Sequence, residues 1–278
     1  MTKPKQALVM GGGGVDMENP TIDLLALTLA GKQKPTVLFL PQASLENSGY
    51  VNHFHKVFGR YPCDTIHLVT SDLPTADLED YVMQADIIYA GAGNTKIGLA
   101  LWREFGLDVI LHKAYEAGVV WVGGSAGFAS ITNEAITDSL GGLSIDRCLG
   151  LLPISGCAHY SSPVRRRVYK KAVYDGDICA GYGIDEGAAI HFVDGVVHRV
   201  VSNSIDAKAF SVGMVDGKLQ HKRLHTIFLN EEENADNYIW SQEPFRDMTQ
   251  RKREERAHSR SQALVVHGQE VEEEVEEL

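Results

Sequence analysis

Short apolar runs alternate with amphipathic segments over the first 145 residues of the chain. The apolar runs predict buried strands at residues 7–10, 36–40, 65–69, 86–90 and 119–123. Apolar residues at helical spacing predict helices at residues 22–31, 51–58, 76–83, 95–117 and 128–133. This alternation predicts an α/β fold in which helices cover both faces of a mostly parallel sheet. Ligands of such sheets bind at the carboxyl ends of the strands.

The pattern changes after residue 145. A charged helix is predicted at residues 163–173, and it is followed by strands at 178–184, 188–193, 196–201, 209–214 and 223–228. Asp194-Gly195 and Asp216-Gly217 are typical of tight hairpin turns between such strands. We expect these strands to extend the first sheet, so that residues 1–230 form one domain.

The charge of the chain is concentrated in its last 48 residues. The chain has 278 residues and a net charge of −11, and residues 231–278 contain 14 acidic and 6 basic side chains. This segment therefore contributes −8 and leaves only −3 for residues 1–230. Its weak hydrophobic periodicity predicts a charged, acidic C-terminal extension. A nearly neutral body without a basic face argues against nucleic-acid binding.

Composition also limits the compartment and the cofactors. No apolar run reaches the roughly 18–20 residues that span a bilayer, and no signal peptide is recognised. The four cysteines form no C-x-x-C pair, so reduced thiols in a cytoplasmic protein are expected. No metal site and no cofactor are predicted, because the histidines and cysteines lack the spacing of ligand sets.

Residues 119–128 carry the strongest chemical signal. Gly123-x-Ser125-x-Gly127 follows an apolar strand and precedes a helix, which is the context of a nucleophile elbow. The small glycines allow close backbone approach, and the helix N-terminus stabilises developing negative charge. The alternative is a glycine turn that only packs a helix on the sheet.

A serine nucleophile needs a base and an acid that orients the base. Among 11 histidines, His159 lies in a loop before a predicted helix, where the active-site groups of such sheets gather. His191 and His198 lie beside a predicted hairpin turn and are expected to be exposed. Asp185-Glu186 ends an apolar run and offers the acid, with a solvated turn as the alternative.

Two further glycine loops follow predicted strands. In Gly91-Ala92-Gly93-Asn94-Thr95, the backbone amide of Gly93 and the amide of Ala126 are candidates for an oxyanion hole. Asn94 and Thr95 are candidates for substrate contact, and capping of the next helix is a compatible role.

The other loop, Gly11-Gly12-Gly13-Gly14, is followed by Asp16 where a dinucleotide fingerprint has its third glycine. We therefore expect a close backbone approach beside the active site rather than nucleotide binding.

Taken together, Gly91–Thr95, Gly124-Ser125-Ala126-Gly127, Ala158-His159-Tyr160 and Asp185-Glu186-Gly187 resemble the peptidase E family, the S51 serine peptidases. This family includes aspartyl dipeptidases and cyanophycinases. The resemblance implies a three-layer α/β sandwich like that of class I glutamine amidotransferases. It also implies Ser125 as nucleophile, His159 as base and Glu186 as orienting acid, with Asp138 as an alternative acid.

The chain departs from the family pattern at two places. It has Ser161-Ser162 after His159-Tyr160, where the family commonly has an acidic residue, and Gly-Ala-Gly-Asn-Thr where the family often has three glycines. A cationic partner for an aspartyl substrate is offered by Arg165, Arg166 or Arg167. Arg165 is the candidate for substrate binding, and a solvated helix face is the alternative for the others.

The resulting hypothesis is a serine peptidase that acts on short peptides, in particular on N-terminal Asp-Xaa dipeptides. Two alternatives stay open: a hydrolase of β-linked Asp-Arg material like the cyanophycinases, and a binding protein that keeps the fold without catalysis. The expected partner is a small peptide substrate, with no nucleic acid and no membrane, and a homodimer is an open alternative.

Overall fold

A computed structural model describes residues 3–12 and 20–229. The chain divides into two units, Met1–Leu229 and Asn230–Leu278. The acidic extension predicted for residues 231–278 lies outside the described residues, as does Asp16. Among the described helices, none combines the length and the apolar character needed to cross a bilayer.

The larger of two sheets has eight strands, numbered here in chain order with those of the second sheet. They are β1 (Gln6–Met10), β2 (Thr36–Leu40), β3 (Asp64–His67), β4 (Ile87–Ala90), β5 (Val120–Gly124), β10 (Ala188–Val193), β11 (Val196–Ser202) and β14 (Ile227–Phe228). Their order across the sheet is β14-β11-β10-β1-β5-β4-β2-β3. In the run β1-β5-β4-β2-β3, every strand is parallel to its neighbour, while β10 is antiparallel to both β1 and β11. The predicted α/β class with a mostly parallel sheet is confirmed.

A second, six-stranded sheet corrects the expectation that the later strands extend the first. Its strands are β6 (Glu134–Thr137), β7 (Ser144–Arg147), β8 (Ser155–Cys157), β9 (Gly181–Ile184), β12 (Ala209–Val215) and β13 (Lys218–Arg223). Their order is β13-β12-β9-β8-β6-β7. Of the strands predicted after residue 145, only β10, β11 and β14 join the larger sheet. The other two, β9 and β12, belong to the smaller sheet, where β9 pairs with β8 and β12 pairs with β9 and β13. The hydrophobic pattern did not reveal β6, β7, β8 or β13.

The helices agree with the prediction except at one position. They are α1 (Thr21–Leu29), α2 (Ser48–Phe58), α3 (Leu78–Met83), α4 (Thr95–Glu104), α5 (Leu107–Glu116), α6 (Ala126–Ile131) and α7 (Pro163–Asp175). The helix predicted over residues 95–117 is divided into α4 and α5 by Gly106, whose φ of +66° is left-handed. Glycine adopts this conformation without the steric penalty of a side chain.

The centre of the larger sheet determines where the site forms. β4 and β5 run parallel with Ala90 opposite Gly123, and β1 runs parallel to β5 with Met10 opposite Gly124. The carboxyl ends of three strands therefore meet at one edge. Helix α6 leaves this edge from β5 and contacts β4 and β5 of the larger sheet as well as β6 and β8 of the smaller one. The edge thus lies where the two sheets approach each other.

Candidate active site

Ser125 occupies a strained turn between β5 and α6. Its backbone has φ +52° and ψ −107°, a combination that L-residues rarely adopt. The Ser125 amide donates to the carbonyl of Met10 at 3.1 Å, and the Ser125 carbonyl accepts from the Ala129 amide at 2.9 Å. The turn is therefore held both by β1 and by the first turn of α6. This is the geometry of a nucleophile elbow.

The two glycines of the motif are required by space. A Cβ on Gly127 would lie 2.2 Å from the carbonyl oxygen of Ala90, and a Cβ on Gly123 would lie 2.5 Å from the carbonyl carbon of Gly127. Only glycine allows α6 to pass this close to β4 and β5. The Trp121 indole N–H also donates to the carbonyl of Gly127 at 3.1 Å, which fixes the helix against the strand.

The His159 imidazole lies directly against the serine. Its Nε2 atom is 2.8 Å from Ser125 Oγ. His159 lies in the loop between β8 and α7, where it adopts a φ of +53°. Its amide donates to the carbonyl of Gly11 at 2.9 Å, so the glycine loop that follows β1 anchors the backbone of this loop.

Glu186 completes the hydrogen-bonded chain. It lies in the turn that joins β9 of the smaller sheet to β10 of the larger one, and its Oε1 atom is 2.8 Å from His159 Nδ1. Because a carboxylate only accepts, Nδ1 carries the proton and Nε2 is free to accept the hydroxyl proton of Ser125. Burial opposes the ionisation of Glu186, but hydrogen bonds from Ser161, its own backbone amide and His159 lower the pKa of the carboxyl below its ordinary value.

The two other candidate acids contact different partners. Asp185 is buried, and its Oδ2 accepts from the Lys208 amide at 3.1 Å while its Oδ1 lies 3.9 Å from the Arg166 guanidinium. Burial raises the pKa of Asp185. Asp138 pairs with the guanidinium of Arg165 at 2.5 Å. Of the three candidate carboxylates, it is Glu186 that the structure places against the imidazole.

The second glycine loop lies beside the elbow because β4 and β5 are neighbours. Gly93 has a φ of +139°, and a Cβ there would lie 2.2 Å from the carbonyl oxygen of Ala43. The Asn94 side chain accepts from the Ile97 amide at 3.1 Å and donates to the Ser139 carbonyl at 2.9 Å. Asn94 thus caps α4, the role that the sequence allows beside substrate contact. Thr95 is buried. Their contact with substrate stays a prediction.

The described part of the first glycine loop packs against the acid. A Cβ on Gly11 would lie 2.2 Å from the carbonyl oxygen of Ile184, and a Cβ on Gly12 would lie 3.2 Å from the Cβ of Glu186. This is the close backbone approach that the sequence predicts beside the site. In the described part of the chain, no three histidine, cysteine, aspartate or glutamate side chains form a candidate metal site.

Comparison with known proteins identifies the family of the chain. The family model described as Peptidase family S51 matches residues 7–200. The chain belongs to peptidase family S51. As an S51 member it is a serine-type peptidase, as the motif resemblance implies.

Relatives extend the S51 assignment over most of the chain. The uncharacterized peptidase YgaJ of Bacillus subtilis (strain 168) is 39% identical over 228 residues, which cover 81% of this chain and 99% of YgaJ. Among solved structures, a peptidase from an acI-B1 actinobacterium matches with a TM-score of 0.60 at 15% identity, over 80% of this chain and 95% of that one. A putative peptidase E protein from Listeria monocytogenes EGD-e matches with a TM-score of 0.51 at 19% identity, over 80% of this chain and all of that one. At such identities the structural matches show the shared fold.

The S51 site contains one side chain that sequence reasoning passed over. Ser161 appears in the sequence only as a departure from the family pattern, but its hydroxyl donates to Oε2 of Glu186. The signal for this contact is weak, since a serine two residues after a histidine is common. Its position two residues after His159 does not indicate that its partner is Glu186, 25 positions further along the chain.

Proposed function

We propose that this S51 peptidase cleaves short peptides, with N-terminal Asp-Xaa dipeptides as its substrates and Ser125, His159 and Glu186 as its catalytic residues. The observation that carries the proposal is the unbroken hydrogen-bonded chain from Ser125 Oγ through both ring nitrogens of His159 to Glu186 Oε1. This order of nucleophile, base and acid is the working arrangement of serine hydrolases.

The chemistry follows from these contacts. Ser125 Oγ attacks the scissile carbonyl while His159 Nε2 accepts the hydroxyl proton, and the imidazolium then donates that proton to the leaving amine. A water molecule releases the acyl group by the same route, with His159 again as the base. Glu186 stabilises the positive charge that His159 carries in both steps.

The developing oxyanion is assigned to the backbone amides of Gly93 and Ala126. Gly93 follows β4, and Ala126 follows Ser125 after β5, so the parallel pairing of β4 and β5 supports a common site for the two amides. Amide donors fixed by the fold stabilise negative charge without reorganisation during the reaction. In hydrolases with an elbow, the residue after the nucleophile supplies one of these donors.

Arg165 supports the preference for an aspartyl substrate. Its side chain is 13% exposed and pairs with Asp138, whose side chain is 67% exposed. Burial opposes the ionisation of Asp138, but the hydrogen bond and charge of Arg165, together with the charge of His159, lower the pKa of its carboxyl, which supports a role of this ion pair near the base. Arg165 offers a guanidinium to the substrate carboxylate, while Asp138 offers a carboxylate to the substrate ammonium group.

The same ion pair also favours a second candidate function. Because Asp138 is the more exposed partner, it presents an anion that suits the arginine side chain of β-linked Asp-Arg material. A cyanophycinase-like hydrolase with the same three catalytic residues therefore remains the alternative.

A substrate panel separates these functions. Purified protein is incubated with a series of α-Asp-Xaa dipeptides, with the matching Glu-Xaa and Asn-Xaa dipeptides, and with β-Asp-Arg, and released amino acids are measured. The proposal predicts turnover of α-Asp-Xaa above all others and none of it in Ser125→Ala. Turnover confined to β-Asp-Arg would establish the alternative, and equal turnover of the Asn-Xaa series would exclude recognition of the aspartyl carboxylate.

A further inference from the structure

The catalytic acid is held at both of its oxygens. Oε1 of Glu186 accepts a hydrogen bond from Nδ1 of His159, and Oε2 accepts a hydrogen bond from the hydroxyl group of Ser161. A carboxylate has no proton of its own to donate, so the direction of both bonds is fixed. Ser161 therefore extends the hydrogen-bonded chain of the site by one residue.

Backbone hydrogen bonds fix the two segments that carry the base and the acid, so the main remaining freedom is rotation of the Glu186 side chain. The loop that carries His159 and Ser161 is fixed by the Tyr160 amide, which donates to the Ile184 carbonyl at 3.0 Å. The turn that carries Glu186 is fixed by the Ala188 amide, which donates to the Asp185 carbonyl at 3.1 Å. Base and acid thus lie on two short segments that are joined by a backbone hydrogen bond. The remaining variable is the rotation of the carboxylate.

That rotation matters because the site is open to solvent. The Glu186 side chain is 48% exposed, and a carboxylate with one fixed oxygen would exchange its second oxygen between water molecules. A donor that belongs to the protein holds the carboxylate plane in one orientation toward Nδ1. Water can satisfy Oε2 chemically, but it does not define a direction.

We propose that Ser161 is a positioning residue that fixes the Glu186 carboxylate for its bond to His159. The proposal rests on the proposed catalytic roles of Ser125, His159 and Glu186. Ser161 does not contact the reacting atoms, and it acts only through the acid.

The electrostatic surroundings agree with this role. The hydrogen bond from Ser161 acts against burial and lowers the pKa of Glu186. The other charged groups that face this carboxylate are His159, which favours the ionised form, and Asp185, whose own pKa is raised in part by Glu186. Loss of the hydroxyl therefore raises the pKa of Glu186.

The test compares three serine variants in steady-state kinetics. Ser161→Ala is expected to lower kcat about fivefold to tenfold with KM unchanged, because water replaces the lost hydrogen bond to the exposed carboxylate only in part. Ser161→Thr keeps the hydroxyl and is expected to restore kcat. The matched control is Ser204→Ala, since Ser204 is an exposed serine in the loop that packs on Gly187 and its loss should change nothing.

A second readout reports on the acid directly. The pKa of Glu186 is followed by carbon-13 NMR of carboxyl-labelled glutamate, with the resonance identified by its absence in Glu186→Gln. The pKa is expected to rise in Ser161→Ala and to return in Ser161→Thr, so that activity of the alanine variant falls off at a higher pH as the solution is acidified. A purely structural role of Ser161 would change the unfolding temperature without changing this pKa.

The outcomes distinguish the inference from the function on which it rests. If Ser161→Ala has the kcat and the Glu186 pKa of the wild type while Ser125→Ala is inactive, the positioning role is wrong and the proposed function stands. If Ser125→Ala retains turnover, the proposed function fails first.

Discussion

The backbone of Ser125 stores strain that its neighbours maintain. A φ of +52° with a ψ of −107° costs a non-glycine residue about 1–3 kcal/mol, and such strain persists only where surrounding contacts determine it. Here the contacts are the bonds to Met10 and Ala129 and the close passage of Gly127 over Ala90. The strain directs the hydroxyl out of the sheet edge toward His159.

Substitution of Gly127 by alanine tests this packing. The new Cβ would lie 2.2 Å from the Ala90 carbonyl oxygen, so α6 has to move away from β4. We expect Gly127→Ala to lower the free energy of unfolding by about 2–4 kcal/mol and to abolish peptidase activity. Urea denaturation and dipeptide hydrolysis measure both effects. Gly142→Ala is the control, because a Cβ at Gly142 meets no heavy atom within 4 Å. Equal stability of the two variants would contradict the account of the elbow.

Single residues were predictable where the chemistry prescribes them. Ser125 follows from the motif and His159 from its loop position, while Glu186 was implied by the family resemblance with Asp138 as the alternative. The structure brings Ser125, His159 and Glu186 together. His191 shows the opposite case, because it was expected to be exposed and is 3% exposed. It lies within β10, where Nε2 donates to Gln6 Oε1 at 3.0 Å. An Asp-Gly turn nearby predicts a hairpin, but it does not reveal which positions of its strands are buried in the fold.

The buried His191 makes stability depend on pH. Burial, Arg199 and His198 lower its pKa from 6.5 to about 3. Between these pH values the unfolded chain binds a proton that the folded chain does not, so stability falls as pH decreases from 6.5. At pH 5 this residue should cost on the order of 1–2 kcal/mol relative to pH 7.

The measurement is the free energy of unfolding of His191→Gln at pH 7 and pH 5. Glutamine does not titrate, so the variant should lose less stability on acidification than the wild type does. His225→Gln, at an exposed position, should follow the wild type. Parallel behaviour of all three proteins would show that His191 titrates normally in the fold.

Among the secondary structure elements, the parallel strands were the most predictable. Strands β1, β2, β4 and β5 are buried along nearly their whole length and read as continuous apolar runs. Strands β6, β7 and β8 have only three or four residues each, and β7 alternates exposed and partly buried positions around one buried aspartate. Such segments become strands through partners far along the chain. Propensity and periodicity therefore missed them, and with them the second sheet.

The smaller sheet, which the sequence did not predict, matters because its strands carry the proposed base and the proposed acid. His159 follows β8 and Glu186 follows β9, so two of the three proposed catalytic residues come from the smaller sheet. Only Ser125 comes from the larger one. Sequence reasoning assigned these residues by motif without the architecture that joins them.

Two neighbouring arginines of helix α7, Arg166 and Arg167, test how this helix supports the loop that carries His159. The Arg166 guanidinium lies 5.1 Å from the ring centroid of Tyr160 and 5.3 Å from that of Phe210, and it donates to the Tyr160 carbonyl. Arg167, the next residue, is exposed. Arg166→Met is expected to lower the free energy of unfolding by about 1–3 kcal/mol and to reduce kcat, because Tyr160 adjoins His159.

Arg167→Met removes the same charge from the same helix. It should alter stability by no more than about 0.5 kcal/mol, as is usual for exposed positions. Thermal and urea denaturation of both variants provide the comparison. An equal effect at the two positions would mean that helix charge, and not the contact with Tyr160, is responsible.

At the scale of the whole molecule, the net charge of −11 says little about the substrate. Most of it lies in residues 231–278, while the S51 match spans residues 7–200. The ion pair of Arg165 and Asp138 shows that local arrangement, rather than total charge, determines which groups the site offers. The acidic extension of residues 231–278 stays a prediction, and these residues belong to a different unit from Ser125, His159 and Glu186.

The central claim is that the fold activates Ser125 as a nucleophile through His159. The most direct measurement is covalent labelling with a fluorophosphonate, which reacts with activated serines, followed by peptide mass spectrometry. We predict one label, on Ser125, with labelling lost in His159→Gln and slowed in Glu186→Gln. An unlabelled Ser125 in the folded wild-type protein, or labelling that persists in His159→Gln, would contradict it and would favour a binding protein that keeps this fold without catalysis.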